Sequence, residues 1–243
     1  MRVENFLSES ALRLGGKTAL VAGTTQLTYA EIDLMSSRMA AALTANGIAL
    51  GDRVLVFMDN SWEAVVSIFA ILKAGAVFAP IDPATGTDRL AEILNDCDAA
   101  GLVTQSRLAK VSAGAMAEAP LLNLTIIAGC EGAPEIDGIM RFEDAVAGGL
   151  TPRRAPAGIP ADLAMIGYAS DSAGVAKARM MTHATLIAAA TSTTASLADR
   201  ADDAVLSLPP VSSDRGLLQL LMAVKHGATL MLEKSTGRLD ATA

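Results

Sequence analysis

Apolar residues return at helical intervals from the start of the chain. Val3, Phe6, Leu7, Ala11 and Leu14 share one face and predict a helix over 3–14. Residues 18–22 and 26–30 alternate as two short strands around the turn Gly23-Thr24-Thr25. A helix over 31–46 follows, with Ile32, Met35, Met39 and Leu43 on one face and Gly47 as its stop. Residues 53–58 form an unbroken apolar run, the pattern of a strand covered on both faces. Asn60 or Ser61 then caps a helix that ends at Gly75, and 77–80 is the next strand. The pattern goes on with a helix at 88–96, strands at 101–104 and 124–128, and a short helix at 142–147. After the stretch 148–160, dense in Gly and Pro, come a strand at 163–168, a helix at 185–197, and a strand–helix–strand unit at 204–208, 217–226 and 228–232.

Strands alternating with helices predict an α/β fold: layered parallel sheets joined by crossover helices. The Gly/Pro-rich stretch suggests three portions: a first α/β portion at 1–148, a linker at 149–161, and a strand-loop-helix unit with its following strands at 162–243. Residues 64–81 are apolar enough to be tested as a membrane span. Lys73 and Gly75 interrupt them, so a buried helix and strand are expected and no span. Residues 72–77 and 224–229 echo each other, each with a glycine between a helix end and a strand. Shared turn chemistry accounts for that echo.

Composition narrows the partners. The 243 residues are 51% hydrophobic but only 3% aromatic, so the core is aliphatic. A net charge of −7 excludes nucleic acid as a natural ligand, because phosphate backbones need clustered cations. Arg153 and Arg154 are the one local basic spot, set among prolines. Cys97 and Cys130 have neither CxxC nor metal-ligand spacing, which suits reduced thiols in a cytoplasmic protein, and no metal site is expected. The first residues lack the apolar run of a signal peptide. His183, at a helix start, reads as a capping or packing residue, and His226 as a cap at a helix C-terminus. Asp82 and Asp88 read as turn and helix-start residues, and Trp62 as a packing anchor.

The candidate chemistry lies in 168–183, Tyr-Ala-Ser-Asp-Ser-Ala-Gly-Val-Ala-Lys-Ala-Arg-Met-Met-Thr-His. A buried strand leads into a loop of small hydroxylated residues with one Gly and a Lys. Such a loop at the carboxyl edge of a parallel sheet can offer backbone N–H groups, hydroxyls and a cation to phosphate. It is not a Walker A loop, because Gly174 is followed by Val-Ala-Lys. It has no Gly-x-Ser-x-Gly, and no Gly-x-Gly-x-x-Gly occurs in the chain.

This segment resembles the Tyr-Thr-Ser-Gly-Ser-Thr-Gly-x-Pro-Lys-Gly-Val-x-x-Thr-His loop of adenylate-forming enzymes, the AMP-dependent synthetases and ligases that include acyl-CoA synthetases. Tyr168, Ser170, Ser172, Gly174, Lys177, Thr182 and His183 keep the pattern; Ala169, Asp171, Ala173, Ala176, Ala178 and Arg179 break it. Residues 27–32, Leu-Thr-Tyr-Ala-Glu-Ile, and 72–83, Leu-Lys-Ala-Gly-Ala-Val-Phe-Ala-Pro-Ile-Asp-Pro, resemble two earlier elements of the same enzymes. Residues 208–214, Leu-Pro-Pro-Val-Ser-Ser-Asp, echo the segment that lines their acyl pocket, with Ser213 where an aromatic residue or His usually packs.

The resemblance implies the N-terminal part of such an enzyme. In the family, ATP with Mg converts a carboxylic acid into an acyl-adenylate, and a thiol such as coenzyme A then takes the acyl group. By resemblance Ser170, Ser172, Gly174 and Lys177 correspond to the ATP phosphate loop. Asp171 disrupts it, and Ser213 and Asp214 belong to the substrate pocket. No residue of this chain corresponds to the catalytic lysine, which lies in the family's C-terminal domain. The expectation is therefore a truncated relative that does not catalyse on its own. Two alternatives stand beside it: half of a split synthetase completed by a partner chain, and a non-catalytic interaction protein that self-associates or binds a partner.

Overall fold

The computed structural model describes residues 1–130, 139–149, 158–170, 176–197 and 202–233, with side chains omitted at 169–170, 176–177 and 193–197. The elements run α1 (Asn5–Leu14), β1 (Thr18–Ala22), β2 (Thr25–Thr28), α2 (Tyr29–Ala45), β3 (Arg53–Phe57), α3 (Trp62–Lys73), β4 (Val77–Ile81), α4 (Thr87–Asp96) and β5 (Ala99–Gln105). After a short 3₁₀ turn at Ser106–Leu108 come α5 (Ala109–Met116), β6 (Leu124–Ala128), β7 (Ile139–Arg141) and α6 (Phe142–Ala147). Then follow β8 (Leu163–Ser170), β9 (Ala176–Thr182), α7 (His183–Leu197), β10 (Ala204–Ser207), α8 (Asp214–His226) and β11 (Thr229–Leu232).

Local chemistry sets the helix starts. The Thr28 side chain accepts from the Glu31 N–H, and the Glu31 carboxylate accepts from the Thr28 N–H, closing a capping box. That box starts α2 at Tyr29, so Tyr29 and Ala30 are helical rather than the end of a strand. Ser61, not Asn60, caps α3 by accepting from the Ala64 N–H. Ser213 caps α8, which ends at Gly227 in the left-handed conformation, φ 80°.

Two sheets result. The larger has strand order β7-β6-β5-β3-β4-β8-β9, parallel except for β9, which returns antiparallel beside β8. The smaller has order β10-β11-β1-β2, with β1 and β11 parallel and β2 antiparallel to β1. Segments from both sides of the Gly/Pro-rich stretch enter each sheet. β8 joins β4 through Phe78 and Met165, and β11 joins β1 through Leu20 and Leu230.

Alternation along the strands explains the layers. On β3, Val54 and Val56 face one core and Leu55 and Phe57 the other. The first core, shared with the smaller sheet, takes the apolar faces of α2, α3 and α8. The second lies beneath α4, with Leu90 and Leu94 buried. Helix α3 is buried over most of its length, from Ala64 to Leu72, which accounts for the apolar run tested as a span. Among the described residues no helix is long and apolar enough to cross a membrane. Trp62 anchors α3 edge-on against Phe142, with ring centroids 5.4 Å apart.

Buried polar groups tie distant segments together. Tyr29 donates its hydroxyl to the Ala228 carbonyl at 2.6 Å. The Lys73 ammonium reaches Asp33 Oδ1 at 2.8 Å and the hydroxyls of Ser36 and Ser37, cross-linking α3 to α2. Burial lowers the Lys73 pKa, and the Asp33 carboxylate works against that shift.

Candidate functional site

The phosphate-loop-like motif forms a β-hairpin. β8 runs out of the core to Ser170, and β9 returns from Ala176, with Ser170 opposite Ala176 and Ala169 opposite Lys177. Ser170 and Lys177 thus stand at the hairpin tip, at the carboxyl end of β8 beside the end of β4. Asp171, Ser172 and Gly174 lie outside the described residues. The strand β9 has no counterpart in the sequence expectation, which passed from the loop to the following helix.

Beside the hairpin is an open cleft of about 540 Å³. The end of β4 (Pro80, Ile81, Asp82) and Tyr168 line one side, and Pro210, Ser212 and Ser213 the other. The structure therefore brings the loop hairpin, the 72–83 element and the 208–214 segment to one place. Asn60 secures that last segment. Its carboxamide oxygen accepts from the Val211 N–H at 2.7 Å, and its nitrogen donates to the Pro209 and Glu233 carbonyls. A Cβ on Gly216 would run into the Pro210 carbonyl, so only glycine permits this close approach.

The cleft's polar groups are mostly engaged. Ser213 Oγ donates to the Pro210 carbonyl at 2.7 Å and accepts from the Gly216 N–H. Its first role is thus a helix cap, although it also borders the cleft. Asp82 Oδ1 accepts from the Ala84 N–H, closing the expected turn. Arg89, on the rim, pairs with Glu92 at 2.5 Å. Tyr168 donates to Asp96 at 2.8 Å; burial and this bond both raise its pKa. Burial also raises the pKa of the neighbouring Cys97 thiol, which keeps it a poor nucleophile. Among the described residues no three His, Cys, Asp or Glu side chains gather as a metal-ligand cluster. The described donors and acceptors at the cleft (Asp82, Thr85, Arg89, Ser212) offer an anionic ligand one cation, Arg89. The loop residues that resemble an ATP cradle would have to supply the rest.

Asp214 sits on the far side of its helix start and pairs with Arg179 of β9 at 2.5 Å. By resemblance Asp214 belongs to the substrate pocket and Arg179 is only a break in the motif, so nothing in the sequence signals their ion pair. The two charges border a second, apolar pocket of about 180 Å³ between β9, α7 and α8.

His183 is wholly buried at the start of α7. Arg2 Nε and Nη2 approach its Nε2 at 3.2 and 3.0 Å, and the Val3 N–H approaches Nδ1 at 3.1 Å. A neutral imidazole has one lone-pair nitrogen, so it accepts either from the Arg2 guanidinium at Nε2 or from the Val3 N–H at Nδ1, and not from both. Glu4 completes the cluster, 3.1 Å from Arg2 and 3.6 Å from His183 Nδ1. Burial and the Arg2 guanidinium hold the His183 pKa down to about 4. The packing expectation for His183 agrees with this placement. Its partners lie 181 residues away, and no local pattern points to them.

Comparison with known proteins places this geometry. The AMP-binding enzyme family matches residues 7–243. Phosphinothricin tripeptide synthetase PhsC of Streptomyces viridochromogenes is 37% identical over 231 residues, covering 95% of this chain and 20% of that protein. Bacitracin synthase 3 of Bacillus licheniformis is 30% identical over 236 residues, covering 96% of this chain and 3% of that protein. Among solved structures, the anthranilate CoA ligase AuaEII, in complex with anthranoyl-AMP, superposes with a TM-score of 0.92 at 22% identity, over 98% of this chain and 46% of that one. A benzoate CoA ligase from Burkholderia xenovorans gives 0.84 at 22% identity, over 96% of this chain and 45% of that one. This chain thus spans under half of either ligase and a smaller part of the peptide synthetases. The chain belongs to the AMP-binding enzyme family.

Proposed function

We propose that this chain is an adenylate-forming scaffold that has lost ATP-dependent acid activation. The observation that carries the reading is Asp171, which stands where the resembling loops have Gly. A carboxylate held ~4 Å from a phosphate charge costs ~4 kcal/mol at an effective dielectric of ~20. Neutral hydrogen bonds at ~1 kcal/mol each would need several additions to offset it. Ala169 and Ala173 instead remove two hydroxyls, and Ala176 and Ala178 replace the Pro and Gly that shape the turn. The scaffold elements at 27–32 and 72–83 keep their chemistry. The reaction of the lineage is activation of a carboxylic acid by Mg·ATP, with transfer to a thiol such as coenzyme A.

ATP–pyrophosphate exchange with a broad panel of carboxylic and amino acids tests the reading, and no exchange is expected. The triple change Asp171→Gly, Ala169→Thr and Ala173→Thr should tighten Mg·ATP binding at least about tenfold by calorimetry, within the ~4 kcal/mol at stake. Robust exchange by the unmodified chain would sink it, and unchanged heats in the triple variant would mean that the loop is not what limits ATP binding.

A second reading has one observation in its favour. Leu206 and Leu208 on and after β10, and Met231 on β11, are 50%, 52% and 41% exposed. An apolar sheet face of this kind suits cover by another polypeptide, as in a synthetase completed by a partner chain. Exchange activity that appears only on co-expression with that partner would favour this second reading.

A further inference from the structure

We propose that the outward face of the smaller sheet is a docking site for a basic amphipathic helix of another protein chain. The proposal deepens the second reading above by giving that partner a chemistry, and it does not require the partner to restore catalysis. Strand register defines the face. Leu20, Val205 and Leu230 pack against the first core, and the residues that alternate with them point the other way. Val21 stands beside Met231, and Met231 beside Leu206, so three apolar side chains form one row across β1, β11 and β10. Leu208 repeats Leu206 one strand period further on.

The sheet selects a helix as its cover. Strands β10, β11 and β1 are parallel, and parallel strands bury both faces beneath helices. Helices α2, α3 and α8 pack on the core face. The opposite face leaves Leu206, Leu208 and Met231 exposed, so a helix is the layer it lacks.

Charge selects the kind of helix. Asp202 lies two residues before Ala204, and Glu233 two residues after Met231, so both continue the outward alternation and both are exposed. Lys17, the one cation among the described residues of these strands and their flanks, donates to the Gly227 carbonyl. A second copy of the chain, or an anionic lipid surface, would meet these carboxylates with like charge. Lysine or arginine on a partner meets them with the opposite charge. Spacing then sets the pattern. Ala204 stands beside Thr229, so Asp202 falls level with Gly227 and Glu233 lies six residues further along. That separation is about 20 Å at ~3.3 Å per residue, which a helix laid along the strands spans in about 13 residues. The partner helix thus carries an apolar stripe with a cation near each end.

The test is fluorescence anisotropy of the full chain with a labelled helical probe, without nucleotide. The probe is an alanine-rich peptide of about 18 residues, with a leucine stripe and a lysine pair near each end, ~13 residues apart. A second probe carries glutamate in place of those lysines. The lysine probe is expected to bind at least about tenfold more tightly than the glutamate probe, and added salt should narrow the gap. Leu206→Gln with Met231→Gln should weaken the lysine probe at least about tenfold. Asp202→Asn with Glu233→Gln should abolish the preference between the probes. All four positions are exposed, and unchanged circular dichroism would show that the fold survives. The comparison of the two probes needs no variant at all. Failure of the lysine probe to bind, equal affinity for the two probes, or unaltered binding in the glutamine pair would each overturn the proposal. So would self-association of the unmodified chain in sedimentation that the glutamine pair abolishes, because the face would then belong to a second copy. Because no ATP is present, failure here is distinguishable from failure of the exchange assays.

Discussion

Protonating His183 should loosen the fold in acid by a calculable amount. The imidazole is wholly buried, faces the Arg2 guanidinium, and has its pKa lowered from 6.5 to about 4. The unfolded chain takes up this proton near pH 6.5, while the native chain resists it until about pH 4. Between those values the unfolded state binds more protons, so stability falls as pH falls. The neutral ring's contribution is fully present above pH 6.5 and is lost on the way down through pH 4. At about 1.4 kcal/mol per pH unit, the loss reaches about 3 kcal/mol by pH 4. Glu4 acts with the opposite sign. Burial raises its pKa, so acidification relieves a cost there. Asp162 favours the charged imidazole and works against the shift, and the value of about 4 already contains that opposition. Comparison with His183→Gln separates the two groups, because Glu4 is present in both proteins. Urea unfolding followed by Trp62 fluorescence at pH 7, 5.5 and 4 is the assay. The gap between wild type and variant should shift by about 3 kcal/mol toward the variant from pH 7 to pH 4. Parallel stability curves for the two proteins would refute a buried, neutral His183.

Two further perturbations probe the ties between distant segments. Tyr29→Phe removes the buried hydroxyl that reaches the Ala228 carbonyl and should cost about 1–2 kcal/mol, read as a lower urea midpoint at unchanged slope. Lys73→Met leaves the Asp33 carboxylate and two serine hydroxyls without their shared cation. A loss of about 2–4 kcal/mol is expected by the same measurement, and a gain in stability would mean that burying the ammonium costs more than its bonds return.

Elements with a strong period and a chemical stop were legible in the sequence. Residues 53–58 and 62–75 show an apolar run, a serine cap and a glycine end, and each became the expected strand or helix. The start of α2 was legible too, through Thr28 and Glu31, but a strand reading carried on to Ala30 crossed it. Helix α5 escaped notice because Ala109–Met116 is built from small residues with little contrast between faces. Strand β9 escaped because an exposed strand at the sheet edge carries Lys177, Arg179 and Met180 and has no buried alternation to reveal it. At the site, the order of the motifs indicated which segments would converge. The meeting of Arg179 with Asp214 depends on how β9 lies against α8. The Arg2–His183 contact depends on the whole path of the chain.

The pairing of β1 with β11 has a consequence for how the protein is made. Thr18 and Thr229, bonded side chain to backbone, are 211 residues apart. At a synthesis rate of about 5–20 residues per second, β1 waits roughly 10–40 s for its neighbour. During that time Leu20 and the apolar face of α1 lack the strand and helix that later bury them. The larger sheet's β3 to β6 need only nearby chain and can form first. The smaller sheet closes last, and its cohesion should limit the folding rate.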